Sequence, residues 1–207
     1  MTLIEQTQAS RKSYYREHRE LFARLIEEGQ SPQTLFISCD DSRVIPEAIM
    51  GARPGDLFVL RNVGNLIPPF GRGERAVGAT LEYAVEYLKV EHVIVCGHTD
   101  CGAIKALDLR LHLLEEPNLA LWIEYARPAQ TQVDARGVQP DERHLAIVKQ
   151  NVLLQLDNLR TYDCVREAER ADELTLHGWV YDLSTGRILY WDPDQDRFVD
   201  ESELMTE

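Results

Sequence analysis

Cys39 with Asp41-Ser42-Arg43 in one stretch, and His98 with Cys101 in another, are the residues of this chain whose types could do chemistry together. Two thiolates and an imidazole form a donor set that suits zinc, and three protein ligands leave the fourth tetrahedral position to water. The His98–Cys101 spacing alone says little, because a chain with six histidines and four cysteines produces such a pair by chance. Its weight comes from the other stretch. Asp41 stands two residues from Arg43, close enough for a bidentate carboxylate–guanidinium pair that fixes how the acid points. Such a carboxylate either accepts a hydrogen bond from zinc-bound water or takes the open position itself. Without a metal, the same two residues are a loop-stabilising ion pair.

Each stretch follows an apolar run of β-forming residues, Thr34 to Ser38 before the first and His92 to Cys96 before the second. Both should therefore lie where a strand gives way to a loop, at the carboxyl edge of a sheet. The turn signal Arg53-Pro54-Gly55-Asp56 leads into a further strand, Leu57 to Leu60. A short helix near Pro46 and an amphipathic one over Glu74 to Leu88 alternate with the three strands. Strands and helices in alternation with short connections predict an α/β fold, a mostly parallel central sheet flanked by helices.

Further along, helices are expected over Ala103 to Leu109, Asn118 to Ala126 and Leu145 to Leu159, with a polar surface loop over Thr131 to Asp141. Leu174 to Tyr181 and Arg187 to Trp191 read as a β-hairpin at the sheet edge. The chain reads as a single domain, 1–207. One long helix over Ile4 to Glu28 makes an arm at 1–29, and 192–207 is an acidic tail, solvated or draped on the surface.

The 35 acidic against 22 basic residues give a net charge of −13, which excludes a phosphate-tracking nucleic-acid surface. No apolar run approaches the roughly 18 to 20 residues that span a bilayer, and the amino terminus lacks a signal-peptide pattern, so a cytoplasmic protein is expected. Cys96 and Cys164 read as small packing residues. His18, His92, His112, His144 and His177 lack a second ligand at metal spacing, and Trp122, Trp179 and Trp191 read as core or interface aromatics.

From Glu17 to Trp191 the chain resembles the β-class carbonic anhydrases, most specifically at Cys-x-Asp-Ser-Arg and Gly-His-x-x-Cys-Gly. The resemblance implies Zn2+ held by Cys39, His98 and Cys101, and a catalytic dyad of Asp41 and Arg43. It also implies that Gln30 orients substrate. Phe58, Val63 and Tyr83 would form an apolar carbon dioxide pocket, contributed partly across a dimer interface, and the Gly102 backbone would lie near the site. The substrates would be carbon dioxide and bicarbonate, and the smallest active unit a homodimer, with tetramers or octamers left open. The segment from Arg61 to Phe70 is most like the plant and cyanobacterial branch, which adds a carboxysome or plastid to the cytoplasm as locations. Bicarbonate-inhibited members of the family have tryptophan where this chain has Phe36, which implies an accessible zinc with Asp41 paired to Arg43.

Zinc lowers the pKa of bound water and yields hydroxide, a nucleophile for the carbon of carbon dioxide. Two thiolates donate more charge than imidazoles do, so this water should be less acidic than at a three-histidine site, and the rate should rise with pH above neutrality. Hydrolysis of carbonyl sulfide or carbon disulfide on the same scaffold is the near alternative. A structural zinc that staples two loops is the distant one.

Overall fold

Strand β1 (Thr34–Cys39) is buried along all six residues, as expected of a strand covered on both faces by other elements. The computed structural model describes residues 2–72, 75–109 and 115–204. Glu74, His112 and the last three residues of the tail lie outside them.

The other strands are β2 (Leu57–Asn62), β3 (His92–His98), β4 (Thr175–Tyr181), β5 (Ile188–Asp192) and β6 (Arg197–Asp200). They lie in the order β2-β1-β3-β4-β5-β6, with the first four parallel and the last two antiparallel. From β1 the chain runs to β2 on one side and then to β3 on the other. Such a reversal opens a crevice at the carboxyl ends of the two neighbouring strands. Cys39 ends β1 and His98 ends β3, so both reach that crevice.

The helices are α1 (Leu3–Glu17), α2 (Arg19–Glu28), α3 (Pro46–Met50), α4 (Arg75–Glu82), α5 (Gly102–Ala106), α6 (Pro117–Ile123), α7 (Arg127–Ala135), α8 (Pro140–Leu159), α9 (Asp163–Arg170) and α10 (Glu201–Leu204). Helix α4 continues as a π turn over Tyr83–Tyr87. The main core joins Leu35, Ile37, Val93 and Val95 of one sheet face to Val148, Val152 and Leu156 of α8. The other face carries a smaller cluster of Phe36, Ile94 and Cys96 beside Trp179 and Tyr181. Gly97 of β3 shows how closely α8 is seated, since a Cβ there would lie 2.9 Å from Val152 Cγ2.

Three expectations are corrected. The amino-terminal helix is broken at His18, whose backbone leaves the helix at φ −106 and ψ 17, so the arm is two helices in which no residue is buried. The expected loop over Thr131 to Asp141 is largely helical. Ala129 and Val133, four apart, bury one face of α7, and Arg143 of α8 pairs with Asp134 across the α7–α8 hairpin and with Asp108 just beyond α5. The acidic tail is not merely solvated, since it supplies β6, with Val199 fully buried and the Phe198 ring 5.3 Å from that of Trp191. Its acids make the preceding turn, where Asp192 Oδ1 accepts from the amides of Asp194 and Gln195.

Candidate metal centre

Cys39, His98 and Cys101 bring one ligand atom each within 4.8 Å of one another, and all three residues are buried. Among the described residues no other group of three or more His, Cys, Asp or Glu is placed to hold a metal. The imidazole is set for that use. His98 Nδ1 lies 2.8 Å from the Thr99 carbonyl, which can only accept, so the ring proton sits on Nδ1 and the Nε2 lone pair is free. Nε2 is buried with no hydrogen-bond partner, a costly state for a nitrogen lone pair unless another acceptor of electrons is there. The thiols fit the same reading. Cys39 is held below its ordinary value chiefly by the hydrogen bond from Cys101, while that shared proton and burial push Cys101 up. One proton between two sulfurs is the arrangement a dication would displace.

Gly64, just beyond β2, donates its amide to Cys39 Sγ at 3.3 Å. The loop that carries it is fixed by a ladder of buried amides on α8. Asn151 Nδ2 donates to Gly64 O (3.2 Å), and Gln155 Nε2 donates to Asn151 Oδ1 (2.9 Å). Gln155 Oε1 accepts from Ile67 N (2.7 Å), and Asn158 Nδ2 donates to Ile67 O (2.8 Å).

Asp41 and Arg43 form the anticipated fork. Arg43 Nε donates to Oδ1 at 2.9 Å, its terminal nitrogen to Oδ2 at 2.8 Å, and its backbone amide to Oδ1 at 3.0 Å. These bonds hold the Asp41 carboxyl well below the usual carboxylate range. Oδ2 lies 3.8 Å from His98 Nε2, so the ionised acid borders the position a metal would take. Arg43 is shared, for its other terminal nitrogen donates to Asp100 Oδ2 at 2.9 Å, and Asp100 is paired in turn with Lys105. Arg61 ties the loop from below, donating to the carbonyls of Cys39 (3.2 Å) and Asp41 (2.9 Å).

Of the remaining sequence-predicted residues, two join this cluster. Gly102 opens α5 directly after Cys101, and Val63 is 38% exposed in the loop between the Cys39 partner Asn62 and Gly64. The other three do not. Phe58 pairs with Leu35, four ladder steps before Cys39, roughly 13 Å away at about 3.3 Å per residue. Tyr83 lies beside it, its ring tilted and the centroids 5.8 Å apart. Gln30 is exposed and precedes β1, so the whole strand separates it from Cys39. Within one chain, Gln30, Phe58 and Tyr83 belong to the amino edge of the sheet, and the metal ligands to the carboxyl edge.

Sequence reasoning missed Arg61, Gly64, Asp100 and the amide ladder. Only the ladder carried a signal, since Asn151, Gln155 and Asn158 follow helical spacing among the apolar residues of α8.

Carbonic anhydrase is the description of the family profile that matches residues 34–188. A carbonic anhydrase of Synechococcus elongatus is 43% identical over 191 residues, covering 90% of this chain and 70% of that relative. Among solved structures, the β-carbonic anhydrase CcaA superposes with a TM-score of 0.90 at 38% identity, covering 96% of this chain and 97% of that one. One of two tetrameric β-carbonic anhydrases from Sordaria macrospora gives 0.78 at 30% identity, with 90% and 93% covered.

Proposed function

Because the chain belongs to the carbonic anhydrase family, in its β class, we propose that it interconverts carbon dioxide and bicarbonate at a zinc ion held by Cys39, His98 and Cys101. The observation that carries this reading is the buried, unpartnered Nε2 of His98 beside two thiols and 3.8 Å from the Asp41 carboxylate. Zinc held there would supply a Lewis acid that lowers the pKa of a bound water and so provides a hydroxide nucleophile.

The chain's own residues supply direction. Asp41, kept ionised by Arg43, can accept a hydrogen bond but not donate one. A hydroxyl beside Oδ2 is therefore turned with its hydrogen toward Asp41 and its lone pair toward the substrate. Arg61 and Arg43 hold that carboxylate from the backbone and side-chain ends, so its orientation is fixed before substrate arrives.

Carbon dioxide is apolar and small, which fits a pocket of Phe58, Val63 and Tyr83, with Gln30 offering an amide donor and Gly102 lying beside the metal. Since Gln30, Phe58 and Tyr83 are too far from their own metal ligands, they serve the site of a second copy. Two features support that pairing. Strand β2 is an outer strand flanked by exposed Val63 and Tyr83, and the α1–α2 arm has no buried residue of its own. A homodimer is then the smallest active unit, and the tetrameric relatives from Sordaria macrospora support larger assembly. The likeness of the segment from Arg61 to Phe70 to the plant and cyanobacterial branch is what adds a carboxysome or plastid to the cytoplasm as proposed locations. Among the described residues no helix is long and apolar enough to cross a membrane. The relatives named above are all carbonic anhydrases, which favours carbon dioxide over carbonyl sulfide or carbon disulfide.

Stopped-flow hydration of carbon dioxide by zinc-replete protein, with Cys101→Ser and Asp41→Asn beside it, tests the reading. Loss of about 10²-fold or more in Cys101→Ser and about 10–100-fold in Asp41→Asn is expected. Equal rates in all three would overturn it.

A further inference from the structure

The peptide unit that joins Val63 to Gly64 is gripped at both ends. Its N–H donates to Cys39 Sγ at 3.3 Å, and its carbonyl accepts from the indole Nε1 of Trp122 at 2.7 Å. No other residue type suits the Gly64 position, which has φ +83 and where a Cβ would meet Ala103 Cβ at 3.0 Å. Trp122 arrives from α6, remote in sequence from the ligands and the dyad. Its ring is set edge-on to Tyr125, 5.7 Å between centroids, and Tyr125 is itself anchored by a 2.7 Å bond from its hydroxyl to the Arg72 carbonyl.

Hydrogen bonds in a chain polarise one another, so a peptide whose carbonyl accepts a bond is a stronger donor through its N–H. A donor to a ligating sulfur draws electron density from it and so weakens its donation to the metal. We propose that Trp122 is a positioning residue that acts through the Val63–Gly64 peptide to set how strongly Cys39 donates to the bound metal. The indole holds the amide on the sulfur and strengthens it, keeping the metal more electrophilic than two unrestrained thiolates would leave it. This inference rests on the zinc reading of Cys39, His98 and Cys101. It adds a residue that touches neither metal nor substrate.

The test uses cobalt-substituted and zinc-loaded protein, as wild type, Trp122→Phe and Tyr125→Phe. Trp122→Phe keeps an aromatic ring and deletes the donor, whereas Tyr125→Phe removes a neighbouring hydrogen bond without touching the peptide. In Trp122→Phe the thiolate-to-cobalt charge-transfer band should move to longer wavelength. The midpoint of kcat/KM against pH should rise by about 0.3–0.5, a two- to threefold loss of rate below the midpoint. Tyr125→Phe should leave both unmoved. The titratable and charged groups around the centre, Asp41, Arg43, Arg61, Asp100 and Lys105 from the loops and α5 and His144 from α8, are the same in all three proteins. A moved midpoint therefore reports the altered donor.

A wild-type cobalt protein without a thiolate band would defeat the zinc reading itself. A normal wild-type band that Trp122→Phe leaves in place, with an unmoved pH profile, would overturn the role of Trp122 alone. Should Trp122→Phe not fold, wild-type protein loaded with cadmium-113 answers instead. The Gly64 amide should show coupling to the metal through Sγ, and the Trp122 indole proton should exchange slowly. Absence of either signal overturns the proposal.

Discussion

Replacing Gln155 by methionine keeps the side chain's length and volume while removing both polar ends. In the folded chain Gln155 is fully buried, accepts from Ile67 N at 2.7 Å and donates to Asn151 Oδ1 at 2.9 Å. Neither of those two groups has another partner in the ladder. Asn158 Nδ2, which also touches Gln155 Oε1 at 3.2 Å, keeps its bond to Ile67 O. Two buried polar groups are thus stranded, at about 1–3 kcal/mol each. The methionine recovers up to about 1 kcal/mol through its apolar stem. The expected loss is roughly 1–6 kcal/mol, and at about 2–4 °C per kcal/mol for a chain of this size Tm falls by roughly 2–24 °C. Guanidinium and thermal unfolding of zinc-loaded protein, at one fixed protein concentration because assembly adds to stability, measure it. The ladder also ends on the loop that carries Gly64, so the variant should lose zinc to a chelator at least about 10-fold more readily. A change below about 0.5 kcal/mol, the size of an ordinary surface substitution, would refute the claim that α8 holds that loop through its amides.

If Gln30 serves the partner's metal, Gln30→Ala and Cys101→Ser are complementary defects. Subunits of the two variants dissociated, mixed in equal parts and reassembled should recover about a quarter of wild-type activity, because half the dimers are mixed and each holds one intact site. A mixture no better than the mean of its parents would place both residues in one subunit's site. Asp182, in the turn after β4, is held at about 2 against an ordinary 3.8, first by the Ser184 amide and then by Thr185 and Ser184 hydroxyls. Its folded value is depressed, so its contribution is complete above the unfolded value and is lost as pH falls from about 4 through about 2. Asp182→Asn should therefore flatten the acid fall of Tm, and an unchanged slope would assign that fall elsewhere. Stripping the metal with a chelator should abolish hydration and lower Tm by about 5–10 °C, as expected for a ligand present near 100 times its dissociation constant. An unmoved Tm would mean that the three ligands hold nothing in the folded protein.

The parallel core of the sheet was legible because each strand is built on an apolar run and its connections are short, so β1, β2 and β3 stand where the runs at Thr34, Leu57 and His92 place them. The metal ligands were legible by type and spacing, and Asp41 with Arg43 by proximity along the chain. What stayed hidden depends on partners that leave no local pattern. Arg61 acts on backbone carbonyls, which every residue has. Asp100 is one residue inside a loop, and only the fold brings it to Arg43. The edge strand β6 was masked by its charges, since the acids that suggested a solvated tail instead cap its turn. Gln30 is close to Cys39 in number, yet an extended strand of six residues, roughly 17 Å at about 3.3 Å per step, carries the two to opposite edges of the sheet.

A crystal structure of zinc-replete protein, with anomalous data collected at the zinc edge, tests most directly whether this chain builds an open three-ligand metal site. The expected map has one peak per chain, about 2.3 Å from Cys39 Sγ and Cys101 Sγ and about 2.0–2.1 Å from His98 Nε2. Its fourth ligand is a non-protein oxygen, with Asp41 still on Arg43. A peak elsewhere, no peak, or an Asp41 carboxylate turned from Arg43 onto the metal would contradict it.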